Sequence, residues 1–183
     1  MTLETADTLK EEGLALFQYG AYDEAAVKFE AAITAYTYVQ NLVGRAEMLN
    51  NLGVIYRLRG KREQAHTALT DAAAIFAQMG DHNRQAQALG NLGDLHAASR
   101  DAANRDAAAR YYSDAAELFA QVGDRGRQSL VLRALSLTQL RRGRWVEAML
   151  HMEASLTVPP HRNPFQFFFR GLLRFALRLL GAR

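Results

Sequence analysis

The segment Ala46-Glu47-Met48-Leu49-Asn50-Asn51-Leu52-Gly53 returns forty residues later as Ala86-Gln87-Ala88-Leu89-Gly90-Asn91-Leu92-Gly93. A fixed period of this length constrains the fold strongly, because a short unit cannot bury its apolar face alone and must stack on its neighbours. Forty residues before Gly53 stands Gly13, and 43 after Gly93 stands Ser136, the third unit carrying three extra residues around Ala98–Arg105. The second half of each unit repeats as well. Ala25, Ala65, Ala108 and Ala148 are followed four residues later by Phe29, Leu69, Tyr112 and Met152. Three further on come Ala32, Ala72, Ala115 and Ser155, and four beyond those Tyr36, Phe76, Phe119 and Pro159. Gly20, Gly60 and Gly143 mark the turn between the halves.

Each unit reads as a helical hairpin. Ala, Leu, Glu, Gln and Arg dominate, and apolar residues recur three and four apart. Small residues fall where two helices approach closely, and the side chain four residues after the first alanine fills the neighbouring hole. Helices are expected near 3–19, 22–38, 42–59, 62–79, 82–98, 104–122, 125–142 and 145–157. Pro159-Pro160 should stop the eighth, since the residue before a proline avoids the helical region. Asn163-Pro164 then signals an N-cap and first turn for a ninth. The expectation is an all-α, right-handed solenoid of four hairpins, with inner and outer rows of helices and an added C-terminal helix.

The pattern Leu52-Gly53-x-x-Tyr56, with Ala25-x-x-x-Phe29 and Pro160 after the last hairpin, resembles the tetratricopeptide repeat over about residues 3–160. The forty-residue period is similar to the lengthened variety of kinesin light chain and many bacterial regulatory proteins. Gly80-Asp81-His82-Asn83-Arg84 and Gly123-Asp124-Arg125-Gly126-Arg127 resemble the Gly-Asp turns of that variety. The resemblance implies a repeat array over 1–160 (units about 3–39, 42–79, 82–122 and 125–160) and a docking helix over 161–183. The third unit lacks its mid-hairpin glycine, and Ser136 stands in the fourth where glycine is usual, which should weaken packing locally.

The residue inventory argues against catalysis. Cysteine is absent, which excludes disulfides, thiolate metal sites and cysteine nucleophiles. His66, His82, His96, His151 and His161 form no His-x-x-x-His pair with a carboxylate, and the serines lack a Gly-x-Ser-x-Gly elbow. There is no phosphate-cradling glycine loop either. Asp23 and Glu24 oppose the positive end of a helix dipole. No catalytic residue, metal site or cofactor is expected.

Function is expected in the groove instead. In the repeats that this chain resembles, the first helix of each hairpin lines a concave face along which a peptide lies. The resemblance places Lys10, Leu14, Asn50, Asn51, Val54, Arg57, Asn91, Asp94, Arg133, Leu137 and Arg141 there. Asn51 and Asn91 resemble asparagines that hold a peptide backbone, since an amide donates and accepts at once. They could equally bond neighbouring helices. Some tetratricopeptide co-chaperones clamp a terminal carboxylate with basic residues, but Glu47 and Gln87 stand near those places here.

Charge is divided along the chain. Residues 1–124 hold 11 Lys and Arg against 17 Asp and Glu, a net −6, whereas residues 125–183 hold 11 Arg against 2 Glu, a net +9. A basic end suggests an anionic partner. Residues 165–180 are apolar at eleven of sixteen positions. Phe165, Phe168, Phe169, Leu172, Leu173 and Phe175 cover most of the circumference, and Arg170, Arg174 and Arg178, four apart, form one basic stripe. Such a helix can dock on a protein partner, lie in a membrane surface with its arginines at headgroups, or cap the array. It is too short and too charged to span. Nucleic acid is disfavoured, since contiguous Phe bulk is not a spaced stacking platform.

The expected function is therefore a non-catalytic scaffold, an assembly factor or accessory subunit of a larger complex that is membrane-associated in one reading. It binds a protein or peptide in the groove and docks through 164–183, with homo-oligomers left open. The alternative is a regulatory sensor of a short signalling peptide whose last helix is a cap. No N-terminal secretory pattern is present, so the expected compartment is the cytoplasm, or the cytoplasmic face of a membrane.

Overall fold

The computed structural model describes residues 2–99, 101–157 and 164–181. The expected stop at Pro159-Pro160, the cap at Asn163 and the side chain of Phe165 lie outside the described residues. Among the described residues are nine helices and no strand: α1 Leu3–Gln18, α2 Tyr22–Tyr38, α3 Leu42–Leu58, α4 Arg62–Gln78, α5 His82–Ala97, α6 Ala102–Gln121, α7 Arg125–Arg141, α8 Trp145–Thr157 and α9 Pro164–Leu179. α6 begins two residues before the expected start because Asp101 caps it, its carboxylate accepting from the Asn104 backbone N–H at 3.1 Å. The chain forms two compact units, Met1–Asn91 and Leu92–Arg183.

The repeated small residues lie where helices meet. A Cβ on Gly13 would stand 2.6 Å from the Phe29 ring, on Gly53 2.6 Å from Leu69, and on Gly93 2.5 Å from the Tyr112 ring. These pairs join α1 to α2, α3 to α4 and α5 to α6. Ala25, Ala65 and Ala108 are wholly buried, as are Ala32, Ala72 and Ala115. Tyr36, Phe76 and Phe119 are at most 2% exposed. In the fourth hairpin Ser136 turns the contact polar: its hydroxyl donates to the Ala148 carbonyl at 2.7 Å.

Helix ends repeat as strictly as the cores. Gly20, Gly60, Gly80, Gly123 and Gly143 all have φ between 68° and 78°. The residue after each carries its N–H back to a carbonyl five residues earlier, as in Lys61 to Tyr56 at 2.8 Å and Asp124 to Phe119 at 2.9 Å. The turn between α2 and α3 has the same bond, Asn41 N–H to the Tyr36 carbonyl at 2.9 Å, but Gln40 holds the left-handed position at φ 56°.

α9 packs on α8, with Leu177 buried and two arginines converging on one carboxylate of α8. Arg170 Nε and Arg174 Nε donate to Glu153 Oε1 at 2.9 and 2.8 Å. Burial opposes charge on Glu153, but the two guanidiniums outweigh it and hold its carboxyl below the usual range.

This packing fixes the outcome of two substitutions. Gly93→Ala drives a methyl into a ring already held by burial and should destabilise by about 1–3 kcal/mol in urea melts. Because the Glu153 pKa is lowered on folding, its contribution is present above the ordinary glutamate value of about 4.3 and fades as pH falls through the lowered one. Urea melts should therefore separate wild type from Glu153→Gln by up to about 1 kcal/mol near neutrality, the gap closing in acid.

Candidate functional site

Within the first unit, the middle of α1 and α3, the end of α4 and the start of α5 border a common cleft of about 220 Å³, lined by Lys10, Leu14, Glu47, Asn50, Asn51, Phe76, Arg84 and Gln87. Glu47 organises it. Lys10 Nζ meets Glu47 Oε2 at 2.5 Å, and Arg84 meets Glu47 Oε1 at 2.9 Å and Asp81 Oδ2 at 2.5 Å. Burial opposes charge on Asp81, yet bonds from the Arg84 backbone and guanidinium keep its carboxyl below the usual range. Two cations and two carboxylates therefore alternate across three helices with no net charge. A terminal carboxylate entering here would find both cations already engaged by Glu47.

The asparagines divide their roles. Asn91 Nδ2 donates to Asn50 Oδ1 at 2.9 Å, joining α5 to α3, and Asn50 is buried. Asn51 and Gln87 carry amides that make no side-chain hydrogen bond among the described residues. Both line the cleft. Leu14 supplies an apolar wall, and Val54 and Arg57 are half-buried about one and two turns further along α3. Arg57 Nε is buried without a hydrogen-bond partner among the described residues.

In the second unit the other expected groove residues are more dispersed. Asp94 accepts from the Tyr112 hydroxyl at 2.6 Å, a bond between α5 and α6. Arg133 and Leu137 are exposed on α7, while Arg141 Nη1 donates to the Ala97 carbonyl at 3.4 Å.

α9 has two apolar faces. Phe169 and Leu173 are half-buried beside Leu177, whereas Phe168, Leu172, Phe175 and Leu179 are 70, 55, 61 and 72% exposed. Steps of four, three and four put those four residues on one line along the helix. The basic stripe is shared out: Arg170 and Arg174 are tied to Glu153, and Arg178 is exposed. No described helix is long and apolar enough to cross a membrane, and no group of three His, Asp or Glu among the described residues could hold a metal ion.

Arg84 and Phe76 were not foreseen in the cleft. Glu47 and Gln87 share one repeat position, forty residues apart, and that coincidence was the available signal.

The fold has counterparts among solved structures. The crystal structure of BtubC (BKLC) from P. vanneervenii superposes with a TM-score of 0.76 at 20% identity, covering 87% of this chain. This chain spans 66% of that protein, just under two thirds of its length. Nearly identical TPR-like repeats from Podosopora anserina, described as kinesin light chain, give a TM-score of 0.71 at 16% identity over 96% of this chain and 86% of theirs. A form of those repeats with a single substitution gives 0.74 at 15% identity over 99% and 90%. These likenesses establish an all-α TPR-like repeat solenoid, a fold that is generally a protein-interaction scaffold and typically non-catalytic. No curated relative matches the chain in sequence. The family model described as Soluble NSF attachment protein, SNAP, matches residues 3–152, and the chain belongs to that family of TPR-like helical repeats.

Proposed function

We propose that this chain is a non-catalytic accessory subunit or assembly factor, which holds an extended segment of a partner protein in the first-unit cleft and docks on a larger complex through α9. The observation that carries this reading is the charge-neutral cleft with two free amides, Asn51 and Gln87, on adjacent first helices. An amide offers one donor and one acceptor to a passing peptide group, so it reads backbone rather than side chain. The Lys10–Glu47–Arg84–Asp81 network keeps the wall rigid and gives no preference for a charged tail. The line of Phe168, Leu172, Phe175 and Leu179 supplies a second, apolar surface of the kind that enters a partner's groove.

A second reading, a sensor of a short peptide with α9 as a cap, is favoured by the burial of Leu177 and by the two hydrogen bonds that Glu153 accepts from α9. Native size separates the two. An accessory subunit runs with a large assembly in cell extract and returns to its own 20.4 kDa when Phe175→Glu charges the exposed line. A sensor runs alone in both forms.

A photoreactive side chain at Asn51 tests the cleft. It should give one discrete protein adduct in cells, and the same group at Val27, exposed on α2, should not. The adduct should fall severalfold when Gln87→Ala removes the second amide. Equal labelling at both positions would overturn the cleft. Flotation with anionic vesicles that Phe175→Glu abolishes would move the seat of α9 from a protein to a membrane surface.

A further inference from the structure

The second unit contains a pocket of a different chemistry, remote in sequence from the amide cleft and independent of the reading above. The first turns of α6, the last turn of α7 and the turn into α8 enclose about 190 Å³, lined by Ala102, Arg105, Asp106, Arg141, Arg142 and Arg144. Four guanidiniums face one carboxylate. Asp106 is taken by Arg142, whose Nε lies 2.7 Å from Oδ1. Arg105, Arg141 and Arg144 have no carboxylate partner among the described residues, so three positive charges share the pocket unmatched.

Three of the four guanidiniums are held by hydrogen bonds. Arg105 Nη1 donates to the Arg141 carbonyl at 3.1 Å, Arg141 Nη1 to the Ala97 carbonyl at 3.4 Å, and Arg142 Nη1 to Gln139 Oε1 at 2.8 Å. Arginines at the ends of α5 and α7 also favour those helix dipoles, which explains the two carbonyl bonds. That explanation leaves Arg144 over. It also leaves Arg105 Nε, which is buried and has no hydrogen-bond partner among the described residues. A buried donor left unmet is costly and calls for an acceptor.

We propose that this pocket binds a phosphate group carrying two or three negative charges. Guanidinium forks match phosphate oxygens in pairs, and arginines already held in place lose little freedom on binding. The volume is equivalent to about six waters at ~30 Å³ each and falls below the ~300 Å³ of a typical small-molecule pocket. It suits one phosphate or a diphosphate, and the rest of any larger compound would lie outside on the open side. A free phosphate compound and a phosphorylated lipid headgroup both present this chemistry.

Calorimetric titration of the full chain with inorganic pyrophosphate at low salt tests the pocket. Saturable binding at one site per chain is expected, weakened about tenfold by Arg144→Gln and further by Arg141→Gln. Both side chains are on the surface, and an unchanged melting temperature confirms that the variants are folded. Arg125→Gln, at the far end of α7, should leave the affinity as it was. Absence of saturable binding overturns the proposal, as does equal weakening by Arg125→Gln, which would mean diffuse charge. Vesicles containing phosphatidylinositol phosphate, set against phosphatidylserine vesicles of equal charge, identify the source. Capture that needs the phosphorylated headgroup and is lost in Arg144→Gln assigns the lipid. Pyrophosphate binding without such capture assigns a free phosphate compound.

Discussion

The close approach of a glycine to a large side chain governs how the first three hairpins close, and the side chain opposite does more than fill space. Phe29 and Leu69 lie where a Cβ on Gly13 or Gly53 would be. Tyr112 does the same under Gly93 while its hydroxyl reaches Asp94, one residue along the same helix. Tyr36 repeats the arrangement between hairpins, its ring 2.6 Å from where a Cβ on Gly44 would stand and its hydroxyl donating to Asp7 at 2.6 Å. Burial, followed by the bond to Asp7, raises the Tyr36 pKa far above the ordinary phenol value, so the hydroxyl stays a donor. Each tyrosine thus packs its ring against a glycine and fixes a carboxylate, on the glycine's own helix for Tyr112 and on a third helix, α1, for Tyr36.

Such contacts are legible in a sequence because the space admits few residue types. Glycine, alanine and the aromatic positions therefore recur at set intervals, and reading them placed the hairpins within a few residues. The turns at Gln40 and between α5 and α6 lack the glycine that marks the other five, but the flanking intervals require them. Charge networks are less legible because several residues can satisfy the same geometry. Glu47 was read as an obstacle to a carboxylate clamp, and its two cations span α1 to α5. Asn51 and Asn91 hold one repeat position and read alike, as amides for a peptide or for a neighbouring helix, whereas Asn91 bonds Asn50 across α3 and α5. Asn51 alone of the three keeps its amide for the cleft. No periodicity separates such roles, because neighbouring positions on one helix differ only in which side chain finds a partner first.

The repeat thus dictates the backbone and leaves surface chemistry to vary from unit to unit. In the first unit, basic side chains meet acids: Lys10 and Arg84 with Glu47, Lys28 with Glu12 at 2.6 Å, and Arg59 with Asp23. In the second, the eleven arginines beyond residue 124 face two glutamates in the same stretch. Arginines there bond to helix-end carbonyls, as at Ala97 and Arg141, or to a shared acid, as at Glu153. Carbonyl partners orient a guanidinium without neutralising it. The surplus charge remains available to an anion, and the same fold offers a neutral face in one unit and a basic one in the other.

α9 extends this reasoning to the end of the described chain. A terminal helix that only covers the last hairpin needs one apolar face, and Phe169, Leu173 and Leu177 already provide it. The opposite line of Phe168, Leu172, Phe175 and Leu179 contributes nothing to that contact, and each large side chain left in water forgoes roughly 1.5–3 kcal/mol of burial. Glu153 holds the helix by two arginines rather than by deeper packing, which orients α9 while leaving its outer face open. A helix tethered by charge on one side and apolar on the other keeps that second face open, and it is this face that the proposed docking would cover.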